Sequence, residues 1–114
     1  MKPPPSIAWL VEALGEETTL QFIETCGGQR IMIPRGYKGS LLENLYGEDL
    51  AKIIVEKHAG QPWQVPLAKT WRVYMLARRG LSHNEIAARL GISWRQVTNL
   101  YGKRPDVDRR VGSS

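Results

Sequence analysis

The sequence predicts a mainly α-helical protein with a short two-stranded β-ribbon, in which a duplicated helix-helix-strand region precedes a helix-turn-helix domain. Three observations carry that expectation: an internal repeat in the first 66 residues, a glycine-to-proline apolar run closing each copy, and a basic C-terminal part in which two short helical patterns flank a glycine. The predicted organisation is residues 1–66 as the duplicated region, 67–103 as the helix-turn-helix domain and 104–114 as a mobile tail.

Laying Leu10–Pro34 over Leu41–Pro66, with Tyr46 unmatched, pairs Leu10/Leu41, Glu12/Glu43, Leu14/Leu45, Gly15/Gly47, Glu16/Glu48, Glu24/Glu56, Gly28/Gly60, Gln29/Gln61 and Pro34/Pro66 as identities. One supersecondary unit is written twice. In the first copy Ser6 is expected to cap a helix carrying Ile7, Leu10, Val11 and Leu14 on one face, which Gly15 ends. Glu16 and Glu17 suit the first turn of a second helix, where exposed amides favour negative charge. Leu20, Phe22, Ile23 and Cys26 are its buried candidates, and Gly27-Gly28 stops it. Gln29–Ile33 then alternates as a short strand ending at Pro34. The second copy repeats this with Ser40 as cap, Leu41, Leu42 and Leu45 as face, Leu50, Ile53, Ile54 and Val55 next, and Trp63-Gln64-Val65 as strand. The sequence leaves open whether the strands pair within one chain or between two.

From Lys69 a third helical pattern offers Trp71, Val73, Tyr74, Leu76 and Ala77 as an apolar surface before Gly80. Ser82-His83-Asn84-Glu85 reads as a capping box, the Ser82 hydroxyl meeting the Glu85 amide and the Glu85 carboxylate reaching back. Ile86, Ala87 and Leu90 face inward, Gly91 makes the turn, and Ser93-Trp94-Arg95-Gln96 is a second box. The last helix turns Val97, Leu100 and Tyr101 inward and sets Arg95, Thr98, Asn99 and Lys103 roughly opposite. Trp94 lies nearer the Val97 side, which favours partial packing over a base contact.

Charge supports a polyanion partner for this end. Up to Pro66 there are six basic and eight acidic residues, net −2; from Leu67 onward there are ten and three, net +7. Arginine can grip guanine edges in bidentate fashion and asparagine adenine, so Arg95 and Asn99 are the expected base readers. Ser93, Thr98 and Lys103 are candidate phosphate contacts, Gln96 joins the same DNA-binding set, and Arg72, Arg78, Arg79 and Arg89 are supporting cations.

The 114 residues, 42% apolar and 24% charged, have a globular composition, and their small number makes oligomerisation an expectation. A single cysteine, Cys26, excludes a disulfide framework and a cysteine-rich zinc site and points to a reducing, cytoplasmic setting. No run approaches the roughly 18 apolar residues of a membrane span, so neither anchor nor export signal is expected. His58 and His83 form no metal spacing with Cys26 and read as helix-end histidines. The pairs Glu16/Glu17 and Glu48/Asp49 both begin helices, which favours a capping role over a catalytic dyad. No cofactor and no enzymatic activity are expected.

The stretch Phe22–Gly36, above all Gly27-Gly28-Gln29-Arg30-Ile31-Met32-Ile33-Pro34-Arg35, together with the downstream helical motif resembles the Mor family of phage transcription activators. The copy Ala59–Pro66 matches more loosely, and the resemblance spans about Leu10 to Lys103. It implies a homodimer with two heads on successive major grooves, recruitment of RNA polymerase through its alpha C-terminal domain and sigma factor, and a ribbon that brings Gln29 and Arg30, or Gln61, to the DNA backbone or minor groove. A repressor using the same head and a non-enzymatic adapter are the competing functions.

Overall fold

The computed structural model describes residues 2–102, so Lys103 and the tail expected over 104–114 lie outside the described residues. The described residues form two compact units, one of Pro5–Leu67 and one that runs from Ala68 and takes in the residues before Pro5. The described residues are mainly helical, with seven helices and one two-stranded antiparallel sheet.

The first unit contains α1 (Pro5–Leu14), α2 (Glu16–Cys26), β1 (Arg30–Met32), α3 (Leu41–Tyr46), α4 (Glu48–His58) and β2 (Pro62–Gln64). Helix-helix-strand therefore occurs twice, as the repeat predicts. Between the helices of each copy stands one glycine, Gly15 at φ 88°, ψ 165° and Gly47 at φ 95°, ψ 167°. A side chain there would strain the backbone. Each glycine closes one helix and opens the next: its N–H donates to Val11 O or Glu43 O, and its carbonyl accepts from Thr19 or Ala51. The acidic pairs occupy the first turns of α2 and α4, where they meet the positive end of the helix dipole.

The two strands pair antiparallel within this chain, which resolves the question the sequence left open. Ile31 faces Trp63, Arg30 faces Gln64 and Met32 faces Pro62. Ile31 and Trp63 are also equivalent in the repeat, so a pseudo-two-fold axis passes through their pair. The backbone hydrogen bonds obey it. Gly28 N–H donates to Val65 O at 2.8 Å and Val65 N–H to Gln29 O at 2.8 Å; their counterparts are Gly60 N–H to Ile33 O at 3.0 Å and Ile33 N–H to Gln61 O at 2.9 Å. The strands are shorter than the sequence predicts because the flanking pairs Gln29/Val65 and Ile33/Gln61 form only one of their two ladder bonds: the Gln29 and Gln61 N–H groups donate back to Cys26 O and His58 O, both at 3.0 Å. Ile33 and Val65, the equivalent residues after each strand, are fully buried with Ile7, Leu10, Leu20, Phe22, Ile23, Leu50 and Ile54. Full burial of each such side chain contributes about 1.5–3 kcal/mol.

The copies differ at their first helices. α1 has ten residues and α3 six. Pro5 opens α1, since a proline at the first helical position forfeits no intrahelical bond; Ser6 is thus inside the helix rather than its cap, and its carbonyl accepts from the Trp9 indole. Ser40 does cap α3, accepting from Glu43 N–H at 3.1 Å. In the repeat Ser40 stands where the other copy has Trp9. That indole closes an aromatic cluster, its ring centroid 5.7 Å from His58 and 5.6 Å from Trp63, while His58 stacks on Trp63 at 4.9 Å. Cys26 is buried as expected, with its Sγ 3.0 Å from Tyr46 Oη. Burial and the neighbouring thiol push the Tyr46 hydroxyl up to about 12.

Two outcomes follow from this packing. Gly15→Ala and Gly47→Ala should each lower stability by about 1–3 kcal/mol in urea unfolding, whereas Gly36→Ala, whose added methyl meets nothing within 4 Å, should be near neutral; equal costs at all three would contradict the backbone argument. Burial, and secondarily the Lys57 charge, hold the His58 imidazole below its ordinary value. The unfolded chain then binds the proton more readily, so this stabilisation is complete above the unfolded pKa and is lost as pH falls through the folded one. Thermal midpoints measured across that window should fall more steeply for the wild type than for His58→Gln.

Candidate nucleic-acid interface

The second unit contains α5 (Lys69–Arg78), α6 (His83–Leu90) and α7 (Trp94–Gly102). Trp71, Val73, Met75 and Leu76 of α5, Ile86 and Ala87 of α6 and Val97 of α7 are buried. Tyr74, Ala77, Leu90, Leu100 and Tyr101 are half-buried.

Both expected capping boxes are formed. Ser82 Oγ accepts from Glu85 N–H at 3.1 Å and Glu85 Oε1 accepts from Ser82 N–H at 2.8 Å. At α7, Ser93 Oγ accepts from Gln96 N–H and Gln96 Oε1 from Ser93 N–H, both at 3.1 Å. Between them Gly91 turns the chain in the left-handed conformation, φ 69° and ψ 32°, and Ile92 N–H donates to Ala87 O at 3.1 Å. Glycine reaches that φ without the Cβ clash other residues meet. The two helices are therefore joined by a short connection whose amides are satisfied locally.

On α7, Ser93, Arg95, Gln96 and Asn99 are exposed around the side opposite Val97. Arg95 and Asn99, four apart, lie on one face. Thr98 is half-buried, its hydroxyl 3.0 Å from His83 Nδ1. That contact ties the first residue of α6 to the middle of α7 and engages the group expected to hold a phosphate. Ser93 Oγ and Gln96 Oε1 are likewise engaged in the cap, so the exposed groups with no structural duty in the described contacts are those of Arg95 and Asn99. Trp94 is partly packed. It is 54% exposed, because the first residue of α7 is flanked by the His83 ring, at 6.4 Å, rather than enclosed by a neighbouring helix turn.

No family model, curated protein or solved structure matches this chain. The likeness to the Mor family rests on its sequence motifs.

The supporting cations separate into two kinds. Arg78, Arg79 and Arg89 are exposed, Arg78 lying 5.7 Å over the Tyr74 ring. Arg72 is a correction: only 6% of it is exposed, so it is withdrawn from the surface a polyanion would touch. It shares the buried stretch of α5 with Trp71 and Val73, and its residue type had suggested the opposite. In the first unit Gln29 and Arg30 are exposed, Arg30 on β1 and Gln29 just before it with its amide toward Thr25 O at 3.4 Å. Gln61 is exposed at the equivalent position before β2. His83, read from the sequence as a helix-end histidine, does open α6, but nothing in its local pattern foretells the contact with Thr98, fifteen residues away. Among the described residues no group of three or more His, Cys, Asp or Glu could hold a metal ion, and no helix is long and apolar enough to cross a membrane.

Ser82→Ala should cost about 0.5–2 kcal/mol, read by chemical unfolding. The Ser82 amide and hydroxyl hold the Glu85 carboxyl below the ordinary carboxylate range. The corresponding stabilisation is present above the unfolded pKa and is lost as pH falls through the folded one. Glu85→Gln should flatten that acid limb, whereas Ser82→Ala, which keeps the backbone N–H that donates to Glu85, should flatten it only in part; an unchanged limb in Glu85→Gln would contradict the box as its source.

Proposed function

We propose that this chain is a non-enzymatic, sequence-specific regulator of transcription that binds double-stranded DNA in the cytoplasm, with α6, Gly91 and α7 as a helix-turn-helix. The observation that carries the reading is the exposed Arg95 and Asn99 pair on α7, a helix fixed at its start by a serine-glutamine box and joined to α6 through a left-handed glycine. In a major groove the arginine reads guanine and the asparagine adenine, while Arg78, Arg79 and Arg89 supply phosphate attraction. Lys103, the remaining candidate phosphate contact, lies outside the described residues.

The resemblance to the Mor family supports activation of phage or prophage type through the RNA polymerase alpha C-terminal domain and sigma factor, and a homodimer carrying two heads. The same resemblance assigns Gln29 and Arg30 of the ribbon to the DNA backbone. One head reaches only a few base pairs, so two heads about one helical turn apart multiply contacts and confer a dyad-related site.

Arg95→Ala and Asn99→Ala should each lose about 1–3 kcal/mol of discrimination between a cognate duplex and one altered at the contacted base. Competition anisotropy measures this; unchanged site preference in both variants would remove the base-reader assignment. Transcription with purified polymerase on the same site gives the sign, stimulation supporting an activator and occlusion a repressor.

A further inference from the structure

The last helix of the second unit has a slender hold on the core. Among the described residues Val97 is the one that α7 buries, and a single buried side chain sets which side of a helix turns inward without fixing its roll about its own axis. A second hold comes from α6. Trp94, Thr98 and Tyr101 are spaced four and three apart and form one stripe along α7, and the His83 ring meets all three: Nδ1 lies 3.0 Å from Thr98 Oγ1, and the ring centroid is 6.4 Å from that of Trp94 and 5.3 Å from that of Tyr101. His83 itself stands within the Ser82–Glu85 box, whose bonds fix the backbone at the start of α6.

Arg95 and Asn99 each follow a member of that stripe by one residue, about 100° round the helix. Their direction therefore moves with it. A helix with its side chains is about 10–12 Å across, so a roll of about 20° carries a side-chain tip by about 2 Å, whereas a hydrogen bond to a base edge keeps good geometry over only about 0.5 Å. Attraction to phosphates tolerates such a shift and carries no sequence information. A loosely rolled α7 would keep its affinity for duplex in general and lose its preference for one.

We propose that His83 is a positioning residue for the reading helix: by bonding Thr98 and flanking Trp94 and Tyr101 it sets the roll of α7, and with it the direction of Arg95 and Asn99. The inference rests on the DNA-binding reading above and deepens it, because it makes site preference depend on a side chain that need not touch DNA. It also gives the Thr98 hydroxyl a duty other than phosphate binding. An asparagine carries a donor and an acceptor one bond beyond Cγ, where Nδ1 stands, so His83→Asn can restore the bond to Thr98 whichever tautomer the ring adopts.

Competition anisotropy on the full chain tests the proposal, each variant being measured on a duplex selected from a random pool and on one unrelated in sequence. His83→Ala should lower the preference between them about 10-fold while affinity for the unrelated duplex stays within about 2-fold. His83→Asn should recover most of that preference, and His83→Ala/Thr98→Val should lose no more than His83→Ala, since both changes break the same bond. Equal weakening on both duplexes, an unchanged preference, or additive losses in the double variant overturns the proposal. Should His83→Ala lose its helices by circular dichroism, Thr98→Val decides: it removes the hydroxyl and keeps the shape, and a preference left at the wild-type value counts against the proposal. Hydrogen exchange on the unbound chain separates this outcome from the DNA reading. In His83→Ala the α7 amides should exchange about 10-fold faster while those of α5 change little; unchanged protection of α7 overturns the hold by itself. A wild type with no preference among duplexes would refute the regulator, and exchange would then decide the hold of His83 on α7 alone.

Discussion

The reciprocal backbone hydrogen bonds around Ile31 and Trp63 are the constraint on which the first unit depends. Four bonds, two from each copy, tie the glycine-glutamine turn of one repeat to the residue that follows the strand of the other. A two-stranded ribbon alone is marginal in water. Here its ends are clamped by Gly28 and Gly60, and the residues that accept or donate the clamping bonds, Ile33 and Val65, are themselves fully buried. Removing one copy would leave the other with unpaired strand groups and an uncovered apolar face. The duplication and the stability of the unit are thus one fact.

The asymmetry of the two copies lies in their first helices. In copy one Pro5 starts α1 early enough for Trp9 to reach His58 and Trp63. In copy two a serine at the matching position caps a six-residue helix, and Leu41 and Leu45 stay exposed. Where the first copy has an indole and an imidazole in ring contact, the second has a thiol in contact with the Tyr46 hydroxyl. The glycines of the scaffold are shared between the halves, and the side chains that fill it are not.

Much of this was legible in the sequence because the signals were backbone requirements. Gly15, Gly47 and Gly91 mark positive-φ joints, and the serine-glutamate and serine-glutamine spacings specify caps whose bonds are formed in the structure. The strands were legible as a ribbon but not as one closed within a single chain, since intrachain closure depends on how four helices pack and no local pattern encodes it. Arg72 went the wrong way because residue type says what a side chain prefers and not what its stretch of helix packs against: Arg72 falls between Trp71 and Val73 in a stretch of α5 that is buried throughout. The Thr98–His83 contact joins two elements and has no signature within either.

The face of α7 that carries Arg95 and Asn99 is tested most directly by selection of bound sequences from a random duplex pool, with the purified full chain at low salt. The expected result is enrichment of a motif containing a guanine and an adenine in major-groove reach of those two side chains. Recovery of no enriched sequence, or equal enrichment by an Arg95→Ala/Asn99→Ala chain that remains folded, would contradict the assignment.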